Sequence, residues 1–220
     1  IALPGEPIPP GGIVSSNAHA LAALARAGGG EPVVLPIAPD DSAAIAEAAR
    51  AARTCDLLVT TGGASVGEHD LVQAALGPEG FALDFWRIAM RPGKPLIWGR
   101  LGQTPLLGLP GNPVSALVCG VVFLLPALRR LSGLPDAPPR TIRVRIAASL
   151  PANDRRFDFL RARLDTDSGG ETVALPFPVQ DSSMLKLLAQ ADALVLRPPH
   201  APPVAVGEAV DAIPLADLGV

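Results

Sequence analysis

A glycine- and hydroxyl-rich run between a strand-like and a helix-like segment constrains the fold of this chain more than any other feature. The strand-like segment is 56–60 and the helix-like segment is 70–76. A turn of this composition points several backbone N–H groups toward one place, which is how proteins hold phosphate-like anions. It is neither G-x-x-x-x-G-K-[ST] nor G-x-G-x-x-G, so the usual nucleotide motifs do not apply. The run reads Thr61-Gly62-Gly63-Ala64-Ser65-Val66-Gly67-Glu68-His69-Asp70.

The segments around this turn predict an α/β fold. Apolar strands without alternation at 33–35 and 56–60 are separated by a helical stretch, which is the βαβ spacing of a parallel sheet. We therefore expect a three-layer arrangement, a mostly parallel sheet with helices on both faces. The helices are alanine-rich and carry ordinary cap signals. They are predicted at 18–27, with Ser15, Ser16 or Asn17 as N-cap and Gly28 as the stop, and from Asp40 or Asp41 through Arg53.

Three further elements are expected before residue 134. Residues 85–90 form an apolar strand-like run, and Gly102-Gln103 lies between two apolar segments, which predicts a hairpin. A long helix is predicted from Pro113 to about Leu131, with Asn112 as N-cap, because proline is tolerated in the first turn of a helix.

The second part of the chain has a different pattern. Residues 134–140 contain three prolines and no periodicity, which predicts a linker. Polar and apolar residues then alternate at 141–146, 157–164 and 209–213, as in half-exposed antiparallel strands. We expect two domains, an α/β domain over 1–134 and a small, barrel-like β domain over 141–220, with one short helix at 183–190.

Composition excludes several classes of function. The 220 residues are 49% hydrophobic with net charge −3, so there is no basic excess for nucleic-acid binding. No secretory leader is seen, and the longest apolar stretch, 113–128, holds Pro126 and indicates a core helix rather than a membrane span. The two cysteines, Cys55 and Cys119, are expected to be buried free thiols in a reducing cytoplasm. Because the chain starts at Ile1, we expect it to be part of a longer protein.

A second anion-friendly element lies at 87–100. This segment holds four cations and no carboxylate, although the chain as a whole is acidic. Arg91-Pro92-Gly93-Lys94-Pro95 is stiff because its two prolines fix φ, and a surface needed only for solubility has no use for a rigid cationic turn. We expect it to bind an anion. The four cations are Arg87, Arg91, Lys94 and Arg100.

The third element is 109–115 at the start of the long helix. The first N–H groups of a helix are unsatisfied and its dipole favours negative charge there. Ligands of α/β sheets bind at the carboxyl ends of strands, and all three elements follow such ends. We expect them to form one site that includes Pro110, Gly111, Asn112, Pro113 and Ser115.

Two carboxylates are candidates for a metal contact. A carboxylate beside a phosphate site is repulsive unless a divalent cation bridges them, so Asp70, with Asp40 as a second candidate, suggests Mg²⁺. An equally good interpretation of each is a helix N-cap. The three histidines show no metal-ligand spacing, and no Ser-His-Asp arrangement is evident.

At these residues the chain resembles the molybdopterin molybdenumtransferase family, the MoeA type that includes the gephyrin E domain. The resemblance is carried by 61–70, by Arg87-Ile88-Ala89-Met90-Arg91-Pro92-Gly93-Lys94-Pro95 and by Gly108-Leu109-Pro110-Gly111-Asn112-Pro113-Val114-Ser115-Ala116. The segments 156–162, 182–185 and 191–194 are similar to the C-terminal β domain of that family. The match covers nearly the whole chain.

The resemblance implies a molybdopterin-binding, MogA-like α/β domain and an activity in molybdenum cofactor biosynthesis. That activity inserts molybdate into adenylyl-molybdopterin, releases AMP and depends on Mg²⁺, in a cytoplasmic homodimer. By position, the polar cleft residues are Asp40, Asp70, Arg87, Arg91 and Lys94. The phosphates would be held by the Asn112 helix start and by the glycine-rich turn, through Thr61, Gly62, Gly63, Ser65 and Gly67. The cations would offset the charge on molybdate and pyrophosphate. Asp70 would position Mg²⁺.

The chain departs from the family pattern in places, and two alternatives stay open. The family usually has Asp-Ser-Asn at 15–17 and often Lys where Arg87 and Arg91 stand. Members also carry two further domains that complete the cleft. One alternative is a MogA-type adenylyltransferase, which has no need of the β domain after residue 140. The other is a non-catalytic molybdopterin-binding scaffold module.

Overall fold

The computed structural model describes residues 1–2, 4–63 and 66–218, without the side chains of 66–70 and 217. It contains six α-helices and ten strands within those residues. The helices are α1 Asn17–Ala27, α2 Ser42–Ala51, α3 Val66–Leu76, α4 Pro113–Cys119, α5 Leu125–Leu131 and α6 Leu185–Ala189. The strands are β1 Leu58–Thr61, β2 Phe81–Trp86, β3 Met90–Arg91, β4 Ile97–Leu101, β5 Thr104–Leu109, β6 Ile142–Ile146, β7 Phe157–Thr166, β8 Thr172–Pro176, β9 Ala193–Arg197 and β10 Ala209–Pro214.

The first two helices begin at predicted caps, and α2 ends at Ala51, where a 3-10 turn over Ala52–Thr54 continues past the predicted end at Arg53. Helix α1 follows Ser16 as N-cap and stops at Gly28. For α2 the structure selects Asp41, whose carboxylate accepts hydrogen bonds from the N–H groups of Ala43 and Ala44. Such a cap satisfies donors that the helix itself leaves unpaired.

The first sheet is mixed rather than mostly parallel. Its described strands lie in the order β1-β5-β4-β2, and only β1 and β5 run parallel. Strand β4 is antiparallel to both neighbours because the chain reverses twice within 81–109, the second time through the predicted two-residue Gly102-Gln103 turn. The mostly parallel, three-layer arrangement is therefore not confirmed.

Two predicted strands differ from the structure. Residues 31–39 form no helix or strand, and Pro32 and Pro36 on either side of the predicted strand cannot donate to a ladder. The expected strand at 85–90 is divided between β2 and β3, since Arg87 has φ of 72°, outside the extended region.

The predicted long helix from Pro113 to Leu131 is present with a change of pitch in the middle. Residues Gly120–Leu124 form a π-helical segment between α4 and α5. Pro126 has no N–H to donate to the preceding turn, and a π segment accommodates such a gap. The helix is long and apolar enough to cross a membrane by length and composition alone. Val114 to Cys119 are buried within the protein, as a core helix requires.

The second sheet forms a closed, barrel-like ring. Its order is β3-β7-β8-β6-β10-β9, and a further β7–β9 pairing closes the ring. Antiparallel pairs predominate, but β6 pairs with β8 and β3 pairs with β7 in parallel. The predicted linker at 134–140 is free of helix and strand, and α6 lies within the predicted helix at 183–190.

One hydrophobic cluster joins the two sheets across α4. It contains Leu24 of α1, Leu109 of β5, Val118 of α4, and Phe159 and Leu194 of the second sheet. The division into domains at 1–134 and 141–220 stays a prediction. Because the cluster is shared, both sheets pack against α4.

The two cysteines are both free but differ in burial. Cys119 is buried, and burial raises the pKa of its thiol to about 12. Cys55 is only partly buried, so the expectation that both thiols lie in the core holds for Cys119 alone.

We predict that one thiol reacts in the native chain. At pH 8 the Cys119 thiol stays protonated because its pKa is raised, and the thiolate is the reactive form. A disulfide reagent such as DTNB should therefore label Cys55 in native protein and both thiols after unfolding, and Cys55→Ser should abolish the native reaction. Labelling of two thiols in the folded state would contradict this assignment.

A second prediction concerns two glycines with positive φ. A Cβ on Gly93 (φ 117°) would overlap the Cys119 sulfur, whereas one on Gly102 (φ 62°) meets nothing within 4 Å. Gly93→Ala should lower the free energy of unfolding by about 3 kcal/mol, and Gly102→Ala by about 1 kcal/mol. Urea denaturation measures both, and equal losses would show that the Gly93–Cys119 contact is unimportant.

Candidate functional site

The parallel register of β1 and β5 brings two predicted anion-binding turns together. Thr60 pairs with Gly108 and Thr61 with Leu109, so both strands end at the same edge of the sheet. The Gly62 N–H donates to the Leu109 carbonyl at 3.1 Å. A Cβ placed on Gly111 would lie 3.5 Å from the Gly62 Cα, so the two backbones run close together with room for little more than one carbon atom between them.

Two side-chain amides attach other elements to this pair of turns. Asn17, at the start of α1, donates from Nδ2 to the Gly111 carbonyl at 2.8 Å. Asn112, the N-cap of α4, donates from Nδ2 to the Ser182 hydroxyl at 2.9 Å. The Val114 N–H also donates to the Ser182 carbonyl at 3.3 Å, so one of the helix donors is already used. Loop 177–184 of the second sheet therefore lies against the start of α4.

The turn residues themselves differ in accessibility. Gly62 and Gly63 are partly exposed, and Gly111 and Asn112 are exposed. Within the described residues, the N–H groups of Gly63, Gly111 and Asn112 donate to no other group. Pro110 and Ser115 are buried, so they support the turn from behind rather than facing solvent. Thr61 and Pro113 complete the ends of β1 and the first turn of α4.

The sheet register also places two of the four predicted cations at this edge. Trp86 pairs with Ile97, and Ile97 with Gly108, so Arg87 after β2 and Lys94 before β4 lie at the same edge of the sheet as the end of β5. Backbone bonds from Arg87 N–H to Leu96 O and from Ile88 N–H to Lys94 O, both 3.0 Å, close the turn. The fourth cation, Arg100, pairs with Pro105 at the hairpin end of the sheet, away from the site.

The cations at the site are held differently. The guanidinium of Arg87 lies 3.8 Å from the centroid of the Trp86 ring, a cation–π contact that keeps the charge at the edge. Lys94 is exposed and makes no ion pair within the described residues. Arg91 is paired: its guanidinium donates to both carboxylate oxygens of Asp158, at 2.5–3.1 Å.

The predicted metal contacts remain predictions. Ala64 and Ser65 lie outside the described residues, as do the side chains of 66–70, Asp70 among them, whereas Gly67 lies at the start of α3. Asp40 is exposed, precedes the capping Asp41 and forms no ion pair within the described part of the chain. Among the side chains that the structure describes, no group of three His, Cys, Asp or Glu is placed to hold a metal ion.

Arg161 is a functional candidate that the sequence analysis did not single out. It is only 1% exposed, and its Nη2 is the one buried side-chain polar atom, within the described residues, that lacks a hydrogen-bond partner. Its Nε lies 3.3 Å from Gln180 Oε1 and its Nη1 lies 3.3 Å from the Met184 carbonyl. Burial lowers the pKa of the Arg161 guanidinium, and the negative charge of Asp181 opposes this shift.

A buried guanidinium with a spare donor needs an acceptor, and an anion is the natural one. Arg161 is held by loop 177–184, the same loop whose Ser182 bonds Asn112. The strand pattern held a signal for it: Phe157, Phe159 and Arg161 alternate on one face of β7, so a charge follows two inward-facing aromatic residues. The edge of the first sheet and loop 177–184 thus combine backbone donors with fixed cations, an arrangement suited to oxyanions.

Comparison with known proteins identifies the family of the chain. A family model described as "Probable molybdopterin binding domain" matches residues 2–130, and one described as "MoeA C-terminal region (domain IV)" matches 143–215. Similar proteins include "Molybdopterin molybdenumtransferase 2" of Mycobacterium tuberculosis H37Rv, 39% identical over 94% of this chain and 52% of its own length. The molybdopterin molybdenumtransferase of Nostoc sp. is 34% identical over 88% and 45%. This chain spans about half the length of these curated relatives.

A solved structure is also similar. The molybdopterin biosynthesis MoeA protein from Pyrococcus horikosii superposes with a TM-score of 0.81 and 27% identity, covering 97% of this chain and 51% of that one. The likeness extends over both sheets of the structure.

Replacement of Arg161 by methionine should abolish oxyanion binding while leaving the free energy of unfolding nearly unchanged. Methionine fills the space without a buried charge, so the free energy of unfolding should change by no more than about 1 kcal/mol. Affinity for tetrahedral oxyanions, measured calorimetrically with sulfate and molybdate, should be lost. Arg163→Met, on the same strand but exposed, is the control and should keep the parental affinity. Unchanged oxyanion binding in Arg161→Met would remove Arg161 from the site.

Proposed function

Because this chain belongs to the molybdopterin-binding family and continues into a MoeA C-terminal region, we propose that it carries the substrate site for inserting molybdate into adenylyl-molybdopterin with release of AMP. One observation carries the proposal: Gly62, Gly111 and Lys94 meet at one edge of the first sheet. Asn112 at the same edge bonds Ser182 of loop 177–184, the loop that also holds Arg161. The ligand in this reaction carries phosphate and oxyanion groups, which are the groups that such an edge suits.

The roles of the residues follow from their chemistry. The free N–H groups of Gly63, Gly111 and Asn112 hold the phosphate groups, as backbone donors at turns and helix starts do. Lys94 and Arg87 stand beside them and offset negative charge on the pyrophosphate as the bond that frees AMP breaks. Arg161 holds molybdate, because a tetrahedral oxyanion supplies the acceptor that its Nη2 lacks.

A role for Mg²⁺ comes from the family resemblance and rests on Asp70 with Asp40. Asp40 is exposed, and no group of three ligands is found among the described side chains, which do not include that of Asp70. The proposed steps are therefore assigned to cations and backbone donors, with none assigned to a metal ion. A homodimer and a cytoplasmic location belong to the same proposal, and the remainder of a longer protein would complete the cleft.

The two alternatives are not favoured. An adenylyltransferase of the MogA type has no need of a second sheet, whereas 143–215 match the MoeA C-terminal region. A scaffold module without catalysis is not favoured because the similar curated proteins are named molybdopterin molybdenumtransferases.

The reaction itself tests the proposal. The chain is mixed with adenylyl-molybdopterin and molybdate, and AMP is measured by chromatography with and without Mg²⁺, alongside calorimetry of substrate binding. Binding with AMP release supports the full proposal. Binding without release supports the site and assigns the missing chemistry to sequence beyond this chain. Absence of binding would refute the site assignment.

Two cations from the same segment provide a matched test of the site. Lys94→Ala removes a charge at the sheet edge, whereas Arg100→Ala removes one at the opposite end of β4. Loss of a charge-assisted contact should weaken binding of adenylyl-molybdopterin by about tenfold or more for Lys94→Ala. Arg100→Ala should bind like the parent chain. Equal affinities of the two variants would show that charge alone, and not position, governs binding.

A further inference from the structure

Strand β3 connects the cationic turn to the second sheet. It is only two residues long, and it pairs in parallel with the start of β7, Met90 opposite Phe157 and Arg91 opposite Asp158. The Phe157 N–H donates to the Ala89 carbonyl at 2.8 Å. The turn that presents Lys94 is therefore attached at its base to the strand that carries Arg161.

A side-chain pair reinforces this short pairing. The Arg91 guanidinium donates from Nε and Nη2 to the Asp158 carboxylate. The side chain of Asp158 is 7% exposed, and that of Arg91 is 47% exposed. Within the described residues the Asp158 carboxylate accepts hydrogen bonds from no other side chain. The pair is thus asymmetric: without Arg91 a buried carboxylate is left unpaired, whereas without Asp158 the guanidinium faces water.

Within the described residues, the one other carboxylate near Arg91 already has a closer partner. Asp154 lies 3.7 Å from Arg91 Nη2, but it already pairs with Arg156 at 2.7 Å. The hydrogen bonds from Arg156 lower the pKa of the Asp154 carboxyl to about 2. Asp154 and Arg156 therefore satisfy each other and leave Asp158 as the partner of Arg91.

The direction of the Arg91 side chain separates it from the oxyanion site. Side chains alternate along a strand, so Asp158 and Arg161, three residues apart on β7, lie on opposite faces of the sheet. The packing agrees, because Phe159 joins the cluster around α4 and Leu160 joins the cluster inside the second sheet. Arg91, bound to Asp158, is thus on the face away from Arg161.

We propose that Asp158 is a positioning residue for the oxyanion site, acting through Arg91 to fix the turn that presents Lys94. Arg91 then holds the turn in place and does not bind the anion itself. The proposal rests on the proposed function, because Lys94 and Arg161 are the groups that it keeps in register.

The test compares Asp158→Ala with the double variant Arg91→Ala/Asp158→Ala. A matched control is Asp211→Ala, which breaks another cross-strand pair of the same sheet, Arg143–Asp211 at 3.1 Å, far along the chain from the cationic turn. Calorimetry with molybdate alone should give an affinity about tenfold lower for Asp158→Ala. The double variant should match Asp158→Ala, and Asp211→Ala should match the parent. The melting temperatures of Asp158→Ala and Asp211→Ala should agree. The lower molybdate affinity of Asp158→Ala would then come from a displaced turn and not from a less stable fold.

A direct role for Arg91 gives the opposite pattern. Asp158→Ala would then free the guanidinium and keep or improve molybdate binding, and the double variant would bind more weakly than Asp158→Ala. That result would overturn the proposal.

Amide hydrogen exchange tests the positioning role of Asp158 independently of molybdate binding, and so independently of the proposed function. Asp158→Ala should speed exchange of the Ile88 and Phe157 amides relative to Asp211→Ala, whether or not the chain binds molybdate. Failure of the parent chain to bind molybdate would count against the proposed function alone. Unchanged exchange of those amides in Asp158→Ala would overturn the positioning role.

Discussion

The parallel pairing of β1 with β5 is the constraint on which the site depends. Its register sets Thr61 beside Leu109, so the two glycine turns leave the sheet side by side and their backbones run close together at Gly62 and Gly111. The antiparallel pairs of β4 carry the same register across to Arg87 and Lys94. A shift of one residue in β1 would reverse its faces and separate the turns. Three segments far apart in sequence thus share one edge because of one set of backbone hydrogen bonds.

The second sheet supplies a buried cation, Arg161, in addition to the exposed cations at the edge of the first sheet. Loop 177–184 holds Arg161 and also bonds Asn112 at the start of α4. A buried guanidinium without a full set of acceptors is costly, and proteins keep few such groups without a use for them. The energy of the core around α4 offsets that cost, since the same hydrophobic cluster holds both sheets. In such a low-dielectric setting one positive charge acts strongly on a nearby oxyanion.

Local signals in the sequence predicted much of this fold. The Gly102-Gln103 hairpin, the Asp41 cap, the helix from Pro113 and the linker at 134–140 depend on residues close in the chain. The strand predicted at 33–35 was wrong and the mostly parallel sheet was not confirmed, because strand pairing depends on distant partners. Lys94 lies at the sheet edge where the glycine turns end and its role there stays a prediction, whereas the partner of Arg91 is Asp158, 67 residues away, which no local pattern reveals. Arg161 was recognisable only as an arginine on the inward face of β7.

The central claim is that one sheet edge forms one oxyanion site, and amide chemical shifts measure this most directly. In a ¹H–¹⁵N titration of the chain with AMP and molybdate, we expect saturable shifts of the backbone amides of Gly63, Gly111, Asn112 and Lys94. The amides of the β4–β5 hairpin, around Gly102, should stay unchanged. Saturable shifts at the hairpin, with none at the glycine turns, would contradict the account.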